Sequence, residues 1–325
     1  MVGPTASGKT SLAIDLAKQF DTEIISADSR QCFKELNIGV ARPSETELQT
    51  VKHHFIASHS IHDTVNAGSF EQYALQKVNE IFRKHNVAIM VGGTGLYIKA
   101  FCEGMDEMPD VPEEIRRSII VNYEKNGLEW LQREIQKKDP VFYKTGEIQN
   151  PKRLMRALEV AEVTGQSILN FRKGKREQRD FNIIKIGLDL PKEELHRNIN
   201  ARVDKMIAAG LVEEVKNLLH YKSLNALQTV GYAEIFDHLD GKISLDEAIE
   251  LIKKNTRQYV NIIIKIRSVE NHVNWKLIWQ IIVLQHLMRL FENILENYFY
   301  VILMEVDLII KIIKESTQIF QDKKH

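Results

Sequence analysis

The sequence predicts an α/β fold: a P-loop NTPase-like core with a parallel sheet and an inserted helical domain. Three observations predict this fold. A Gly-rich phosphate-loop pattern near the start leads directly into a helical pattern. Apolar runs of strand length lack polar alternation, which is typical of buried parallel strands. A long, charged segment without strand signals then follows, and it indicates a helical insertion in the core.

The composition is that of an ordinary globular protein. Of the 325 residues, 44% are hydrophobic and 27% are charged, and Lys plus Arg equals Asp plus Glu at 44 each. Because the net charge is zero, the overall charge gives no information about a nucleic-acid partner, and any basic surface must be local. Cys32 and Cys102 form neither a disulfide framework nor a metal cluster, so we expect a cytoplasmic protein. The apolar stretches 277–288 and 298–313 are shorter than a membrane span of about 20 residues, so we expect no membrane association.

The elements of the core follow in order from the N-terminus. Helical patterns cover about 11–20 and 70–84, and a short strand is predicted at 23–27. A continuous apolar run at 87–91 predicts a buried strand that ends in the glycine-rich turn 92–95.

The rest of the chain alternates between sequence patterns that predict helices and patterns that predict strands. A returning strand is predicted at 181–190, and Pro191 opens a helix after it. The predicted organisation is a first core part at 1–109, a helical insertion at 110–180, a returning core part at 181–260 and a divergent helical tail at 261–325.

The strongest chemical signal is the segment GPTASGKT, which matches the phosphate-loop pattern G-x-x-x-x-G-K-[ST]. Its backbone N–H groups can converge on a phosphate, and the start of the following helix adds partial positive charge. Lys9 adds a full positive charge, and the Thr10 hydroxyl can hold Mg²⁺. The alternative is a chance glycine-rich turn, and the pattern indicates a diphosphate or triphosphate rather than a nucleotide as such. The predicted diphosphate-binding residues are Gly3, Pro4, Thr5, Ala6, Ser7, Gly8, Lys9 and Thr10.

Polar residues after the two predicted strands are candidates for one rim of the sheet. Asp28 follows the strand 23–27, and the C-terminal ends of parallel strands face the ligand crevice in open α/β sheets. Asp28 could act as a general base or metal partner, or it could cap a turn. Thr94 offers a hydroxyl in the turn 92–95, although a plain strand-to-helix turn is an equal alternative. This strand does not end in Asp as a Walker B strand would, and Asp189 is better explained as a turn residue.

Two basic clusters lie in or beside the insertion, at 152–156 and 172–176. They could bind RNA phosphates, or they could form an ordinary solvated surface. The eleven histidines form no metal motif, and the adjacent pair His53 and His54 is interpreted as structural or RNA-facing.

In this order, the motifs resemble those of the tRNA dimethylallyltransferase family. The resemblance covers about residues 2–259, and its combination of motifs is far more specific than a bare phosphate loop. The matching segments are GPTASGKT at 3–10, ISADSRQ at 25–31, IGVARP at 38–43, VGGTGLYIKA at 91–100, NPKRLMRALEV at 150–160, INARVDKMIAAGLVEEV at 199–215, TVGYAE at 229–234 and NTRQY at 255–259.

The resemblance implies an enzyme that modifies tRNA. Such enzymes transfer a dimethylallyl group from dimethylallyl diphosphate to N6 of adenosine 37 and release diphosphate. The resemblance further implies that Mg²⁺ assists, that the inserted helical domain grips the anticodon stem-loop, and that the chain acts as a monomer.

The resemblance also implies roles for particular residues. Lys9 and the loop N–H groups would neutralise the leaving diphosphate, and Asp28 would orient the amine and take its proton. The implied catalytic residues are Thr5, Lys9, Asp28 and Thr94. The implied tRNA-contacting residues are Asp28, Ser29, Arg30, Gln31, Thr94, Arg116, Lys152, Arg153, Leu154, Met155, Arg156, Gln228, Thr229, Val230, Gly231, Tyr232 and Ala233.

Two features depart from the family pattern. Only Met1 and Val2 precede the loop, where the family has a full strand. After Tyr259 the family continues with a basic-aromatic stretch similar to K-R-Q-x-T-W-F-R, whereas this chain continues with an Ile-, Asn- and Lys-rich tail. Apolar residues at helical spacing predict amphipathic helices in that tail: Leu284, Leu287, Met288, Phe291, Ile294 and Leu295.

Two alternatives to a prenyltransferase stay open at this point. One is a P-loop small-molecule kinase with ATP as phosphoryl donor, for which 172–176 would serve as a basic lid. The other is an RNA-binding protein with impaired catalysis, which the two departures from the family pattern suggest.

Overall fold

A computed structural model describes residues 1–174, 176–188 and 190–267 of the protein. The strands are β1 (Ile24–Ser26), β2 (His53–His54) and β3 (Ile89–Val91). The α-helices are α1 (Lys9–Gln19), α2 (Glu45–Thr50), α3 (Ala67–Phe82), α4 (Gly95–Glu103), α5 (Glu113–Lys138), α6 (Pro140–Thr145), α7 (Pro151–Thr164), α8 (Lys192–Ala208), α9 (Leu211–Asn217), α10 (Tyr232–Leu239) and α11 (Leu245–Arg267).

The chain forms two compact units. The first contains residues 1–63, residues 81–93 and the described part of 184–325. The second contains residues 64–80 and 94–183. This second unit is wider than the segment 110–180, because α4 and most of α3 belong to it as well.

The sheet of the first unit is parallel, with the order β2–β1–β3. Ile24 of β1 pairs with His53 of β2 on one side and with Ile89 of β3 on the other. The strands are buried, so the apolar runs predicted at 23–27 and 87–91 are confirmed as β1 and β3, each shorter than predicted. One face of α1 packs against this sheet, and the shared core contains Ala13, Ile14, Ala17, Ile24, Ile89 and Val91.

Val2 extends the sheet beyond β3 by a single residue. It forms parallel bridges with Gly92 and with Gly187. The Val2 N–H donates to the Ile186 carbonyl at 2.7 Å, and the Leu188 N–H donates to the Val2 carbonyl at 2.8 Å. The prediction of a returning strand at 181–190 is therefore wrong for the described residues of that segment, which form only the bridge at Gly187. The physical reason is that the chain turns into the phosphate loop at residue 3, so the neighbouring segment offers one residue for pairing.

The second unit is built around the packing of α5 against α7. Its core contains Ile119, Leu131, Ile135, Phe142, Leu154, Leu158 and Ile168. The carboxylate of Asp139, which is 1% exposed, accepts from the Phe142 N–H at 2.8 Å and from the Ser167 hydroxyl at 2.9 Å. This buried carboxylate thus joins the start of α6 to the segment after α7. Its hydrogen bonds also offset the cost of burying a charge, which would be high without partners.

Two sequence predictions concern segments at the end of the chain. α11 continues to Arg267, past the point where the match to the family motifs ends. The predicted amphipathic helices of the tail lie outside the described residues. Within the described part of the chain, no helix is long and apolar enough to cross a membrane.

Gly92 gives a testable constraint on the sheet. A Cβ atom on Gly92 would lie 2.2 Å from the Ala27 carbonyl oxygen, where neither backbone can move without disturbing β1 or β3. We expect Gly92→Ala to lower the free energy of unfolding by about 2–4 kcal/mol, through overpacking of the backbone. Urea unfolding followed by circular dichroism measures the change. Gly93→Ala is the matched control, since a Cβ there meets no heavy atom within 4 Å, and equal losses in both variants would contradict the explanation.

Candidate active site

The phosphate loop takes a conformation that exposes the start of α1. Ala6 and Gly8 adopt left-handed backbone conformations, with φ of 61° and 81°. α1 begins at Lys9 without a side-chain cap and without an acidic residue in its first turn. The first N–H groups of the helix and its positive dipole end therefore favour an anion at this position. A Cβ at Gly3 would lie 2.8 Å from the Ser7 hydroxyl oxygen, so a side chain there would displace Ser7 within the loop.

Two side chains of the loop point to an oxyanion ligand. The Ser7 hydroxyl oxygen is buried and has no hydrogen-bond partner among the described residues. The Lys9 ammonium group donates to the Pro4 carbonyl oxygen at 2.5 Å, so it lies back over the loop. A buried, unsatisfied hydroxyl is costly, and a phosphate oxygen would satisfy it.

One face of α8 covers the loop from the other side. The Asn198 amide donates to the Ala6 carbonyl at 3.4 Å, and the Arg202 guanidinium donates to the Thr5 hydroxyl at 3.0 Å. Between these polar contacts, Leu195 and Ile199 form an apolar cluster against which Ala6 packs. The spacing of these residues, at three and four positions apart, places them on one helical face.

Arg202 is a site residue that sequence reasoning missed. Burial lowers the pKa of its guanidinium, and the negative charge of Asp28 opposes that shift. Arg202 therefore belongs to the same electrostatic environment as Thr5 and Asp28. The signal was present in the motif at 199–215, where a basic residue interrupts the buried face of a helix.

Asp28 both closes a turn and presents a carboxylate. Its Oδ1 atom accepts from the backbone N–H of Arg30 at 2.9 Å and from that of Gln31 at 3.2 Å. The turn explanation considered from the sequence is thus confirmed. It leaves the functional explanation open, because these two bonds use only one of the two carboxylate oxygens.

The charge of Asp28 also acts on two neighbouring side chains. Burial raises the pKa of the Cys32 thiol to about 12, with a further contribution from Asp28, so Cys32 is an unreactive core residue. Loss of solvent around its hydroxyl raises the pKa of Tyr259, and Asp28 again contributes. Tyr259 is 55% exposed, so an aromatic ring from α11 lies at the surface near Asp28. The predicted site residues did not include it.

Gln31 and Arg42 hold the chain that follows Asp28. The Gln31 amide donates to the carbonyls of Val40 and Ala41, at 3.2 and 3.0 Å. The Arg42 guanidinium donates to three carbonyls of the segment 33–36. The side-chain amide of Gln31, a residue predicted to contact tRNA, is therefore already hydrogen-bonded to backbone carbonyls of the protein.

The predicted tRNA-contacting segment 228–233 is divided between surface and core. Gln228, Val230 and Ala233 are exposed. Tyr232 is fully buried, and its hydroxyl donates to a Glu214 carboxylate oxygen at 2.6 Å. The Tyr232 ring is thus packed in the protein interior, and the contact of this residue with tRNA stays a prediction.

Most of the remaining predicted tRNA contacts lie in the second unit. Arg116 and Arg156 both pair with the buried carboxylate of Glu159, at 3.4 and 3.0 Å. Lys152 and Arg153 are exposed, and Arg153 pairs with Glu147. The side chain of Leu154 is part of the α5–α7 core, and the contact of this residue with tRNA stays a prediction. Thr94, the residue before α4, is half-buried, and so is Met155. The other predicted contacts lie in the first unit and are also half-buried: Ser29, Arg30 and Thr229.

Comparison with known proteins gives a consistent family. Residues 31–261 match the sequence model of the IPP transferase family. A tRNA dimethylallyltransferase from Christiangramia forsetii is 51% identical over 259 residues, which cover 80% of this chain and 86% of that protein. One from Cytophaga hutchinsonii is 44% identical over 275 residues, which cover 85% of this chain and 90% of that protein.

Solved structures agree with this result. The crystal structure of the full-length tRNA isopentenylpyrophosphate transferase from Bacillus halodurans superimposes with a TM-score of 0.62 at 31% identity, over 84% of this chain and 87% of that one. Sequence identity over most of both chains and a shared fold lead to one conclusion: this chain belongs to the IPP transferase family.

Proposed function

We propose that this protein transfers the dimethylallyl group of dimethylallyl diphosphate to N6 of adenosine 37 in the anticodon stem-loop of tRNA, with release of diphosphate. The observation that carries the proposal is the phosphate loop covered by Arg202, in a chain of the IPP transferase family. Cys32, which is buried, and Cys102, which is half-buried, are not joined by a disulfide, and this suits a reducing compartment such as the cytoplasm.

The diphosphate would bind in the phosphate loop. The N–H groups at the start of α1 and the charge of Lys9 would stabilise the negative charge that develops as the C–O bond breaks. Arg202 reaches the loop through Thr5, and its guanidinium can form two parallel hydrogen bonds to phosphate oxygens. Ser7 would gain the partner that its hydroxyl lacks.

Mg²⁺ fits this site if it binds mainly to the substrate. Among the described residues, no three His, Cys, Asp or Glu side chains form a metal site. Mg²⁺ commonly keeps several waters and takes one or two protein ligands together with phosphate oxygens. Thr10, half-buried in the first turn of α1, would supply the protein oxygen. When bound, the ion would add positive charge beside the leaving diphosphate.

Asp28 would act on the amine. As the N6 nitrogen forms its bond to the allylic carbon, the bond from that carbon to the diphosphate oxygen breaks, and one N6 proton must leave. The Oδ1 atom is held by two backbone N–H groups, so the turn fixes the orientation of the whole carboxylate. The Oδ2 atom would then orient the amine and take the proton.

The tRNA would contact exposed basic residues of the second unit. Lys152 and Arg153 begin α7 at the surface, and Glu159 holds the guanidinium groups of Arg116 and Arg156. Such charges can bind phosphates of an anticodon stem-loop. Gln228 and Val230 of the first unit are exposed and would also be available to the RNA.

A direct assay tests the reaction class. We expect transfer of label from dimethylallyl diphosphate to a stem-loop with adenosine at position 37, and none to a stem-loop with guanosine there, which lacks the N6 amine. Transfer of phosphate from ATP to a small molecule would instead support the kinase alternative, which family membership does not favour. Stem-loop binding without transfer would support the RNA-binding alternative.

Lys9→Ala tests the diphosphate site. Removing the ammonium group should reduce prenyl transfer by about 10² or more, because a positive charge is lost at the leaving group. Steady-state kinetics with varied dimethylallyl diphosphate measure kcat and KM. Lys18→Ala, at the exposed end of the same helix, is the matched control and should leave both unchanged. Unaltered kcat and KM in Lys9→Ala would reject the assignment.

Asp28→Asn tests the general base. The amide keeps an oxygen that can accept from the Arg30 and Gln31 N–H groups, but it cannot take a proton, so kcat should fall by about 10²–10⁴ with little loss of tRNA affinity. Single-turnover transfer and stem-loop binding separate the two effects. Asp21→Asn, in an exposed turn, is the control. Normal turnover with weakened binding would make Asp28 a docking residue.

A further inference from the structure

Three of the segments that carry the family resemblance, at 38–43, 199–215 and 229–234, meet at one carboxylate. Glu214, in the segment 199–215, accepts from the Ile38 N–H at 2.8 Å with one oxygen and from the Gly39 N–H at 3.0 Å with the other. The second oxygen also accepts from the Tyr232 hydroxyl at 2.6 Å. Residues that are far apart in the chain thus form one hydrogen-bonded unit around Glu214.

Gly39 and Tyr232 fit each other within this unit. A Cβ atom on Gly39 would lie 2.5 Å from the Tyr232 ring, so only glycine permits the ring to pack there. Tyr232 is fully buried, and burial together with the Glu214 charge raises the pKa of its hydroxyl, which keeps the proton that it donates. The backbone at 38–39 is therefore fixed by two N–H groups and by an aromatic contact.

The other side of the same segment holds site residues. The Ala41 carbonyl accepts from the Gln31 amide at 3.0 Å and from the Arg202 guanidinium at 3.5 Å. The other terminal nitrogen of Arg202 donates to the Thr5 hydroxyl of the phosphate loop. Ala41 adopts a left-handed conformation with φ of 46°, which a non-glycine residue keeps only where several contacts determine it. The segment 38–41 thus joins Glu214 on one side to Arg202 and Gln31 on the other.

We propose that Glu214 is a positioning residue, which fixes the segment 38–41 so that the Ala41 carbonyl holds Arg202 toward the phosphate loop. The inference rests on the proposed function, since it concerns the diphosphate site. Among the described residues, the hydrogen bonds of the Glu214 carboxylate go to Ile38, Gly39 and Tyr232, and none goes to the phosphate loop or to Asp28. Its effect on substrate would pass through the orientation of the Arg202 guanidinium, whose parallel hydrogen bonds to phosphate depend on orientation.

Binding of inorganic diphosphate to the full chain, measured by calorimetry, tests this role. In Glu214→Gln only one acceptor oxygen remains for three donors, so at least one backbone N–H loses its partner. We expect diphosphate binding to weaken about tenfold, the size of one lost hydrogen bond to a charged group. Glu213→Gln, which alters the exposed neighbour on the same helix, should bind within about twofold of the native chain.

A double-mutant cycle separates positioning from general support of the fold. If Glu214 acts through Arg202, then Glu214→Gln should weaken binding by no more than about twofold in an Arg202→Ala background, because the guanidinium it positions is already gone. If the two losses multiply, Glu214 only stabilises the fold, and the inference is overturned. Diphosphate binding by Glu214→Gln at native affinity would overturn it as well.

Further outcomes are distinguishable. If the native chain does not bind diphosphate, the diphosphate site of the proposed function fails, and the inference fails with it. If the native chain binds diphosphate and Arg202→Ala binds it equally well, the inference alone fails. If Glu214→Gln does not fold by circular dichroism, Glu214→Asp takes its place in the cycle. It keeps the charge and both oxygens but is shorter by one methylene group, so the same coupling to Arg202 is expected, and multiplied losses would again overturn the inference.

Discussion

Val2 determines where the phosphate loop stands on the sheet, because its backbone is hydrogen-bonded to the segment 186–188 through both its N–H and its carbonyl. The Gly92 N–H adds a bond to the Met1 carbonyl at 3.3 Å, so the chain before the loop is held from β3 as well. The loop begins at the next residue, and α1 follows it onto the sheet. The direction of the α1 dipole, and hence the anion site, depends on this one-residue extension of the sheet.

The anion site then needs positive charge that is fixed in place. Lys9 provides a charge from within the loop, where it donates to the Pro4 carbonyl, and Arg202 provides a half-buried charge from α8. Burial disfavours a charged guanidinium, as the lowered pKa of Arg202 indicates, and Asp28 offsets part of that penalty. The carboxylate proposed to act on the amine thus also supports the arginine proposed to bind the leaving group, so the two halves of the site are electrostatically linked.

The sequence was sufficient to predict those features of the structure that depend on neighbouring residues in the chain. The phosphate loop, the helix after it and the turn at Asp28 depend on residues close in the chain, and all three were predicted. Arg202 was missed because its contact with Thr5 joins positions 197 apart in sequence. Tyr232 and Leu154 were assigned to the RNA because they lie in quoted motifs, and a motif cannot separate a side chain that touches substrate from one that supports the backbone. The strand at 181–190 was predicted from that segment of sequence, which contains no information on how many residues its partner offers for pairing.

Glu214, Gly39 and Tyr232 show why such support residues accompany an active site in sequence motifs. Gly39 packs against an aromatic ring, and Tyr232 is buried with its hydroxyl on Glu214. Neither residue presents a reactive group to a substrate. Each nevertheless limits the backbone at 38–41, and that backbone supplies the carbonyls that hold Gln31 and Arg202. A backbone carbonyl cannot be read from a sequence, since every residue has one. The residues that orient it can be read, because IGVARP contains Gly39, GLVEEV contains Glu214 and TVGYAE contains Tyr232.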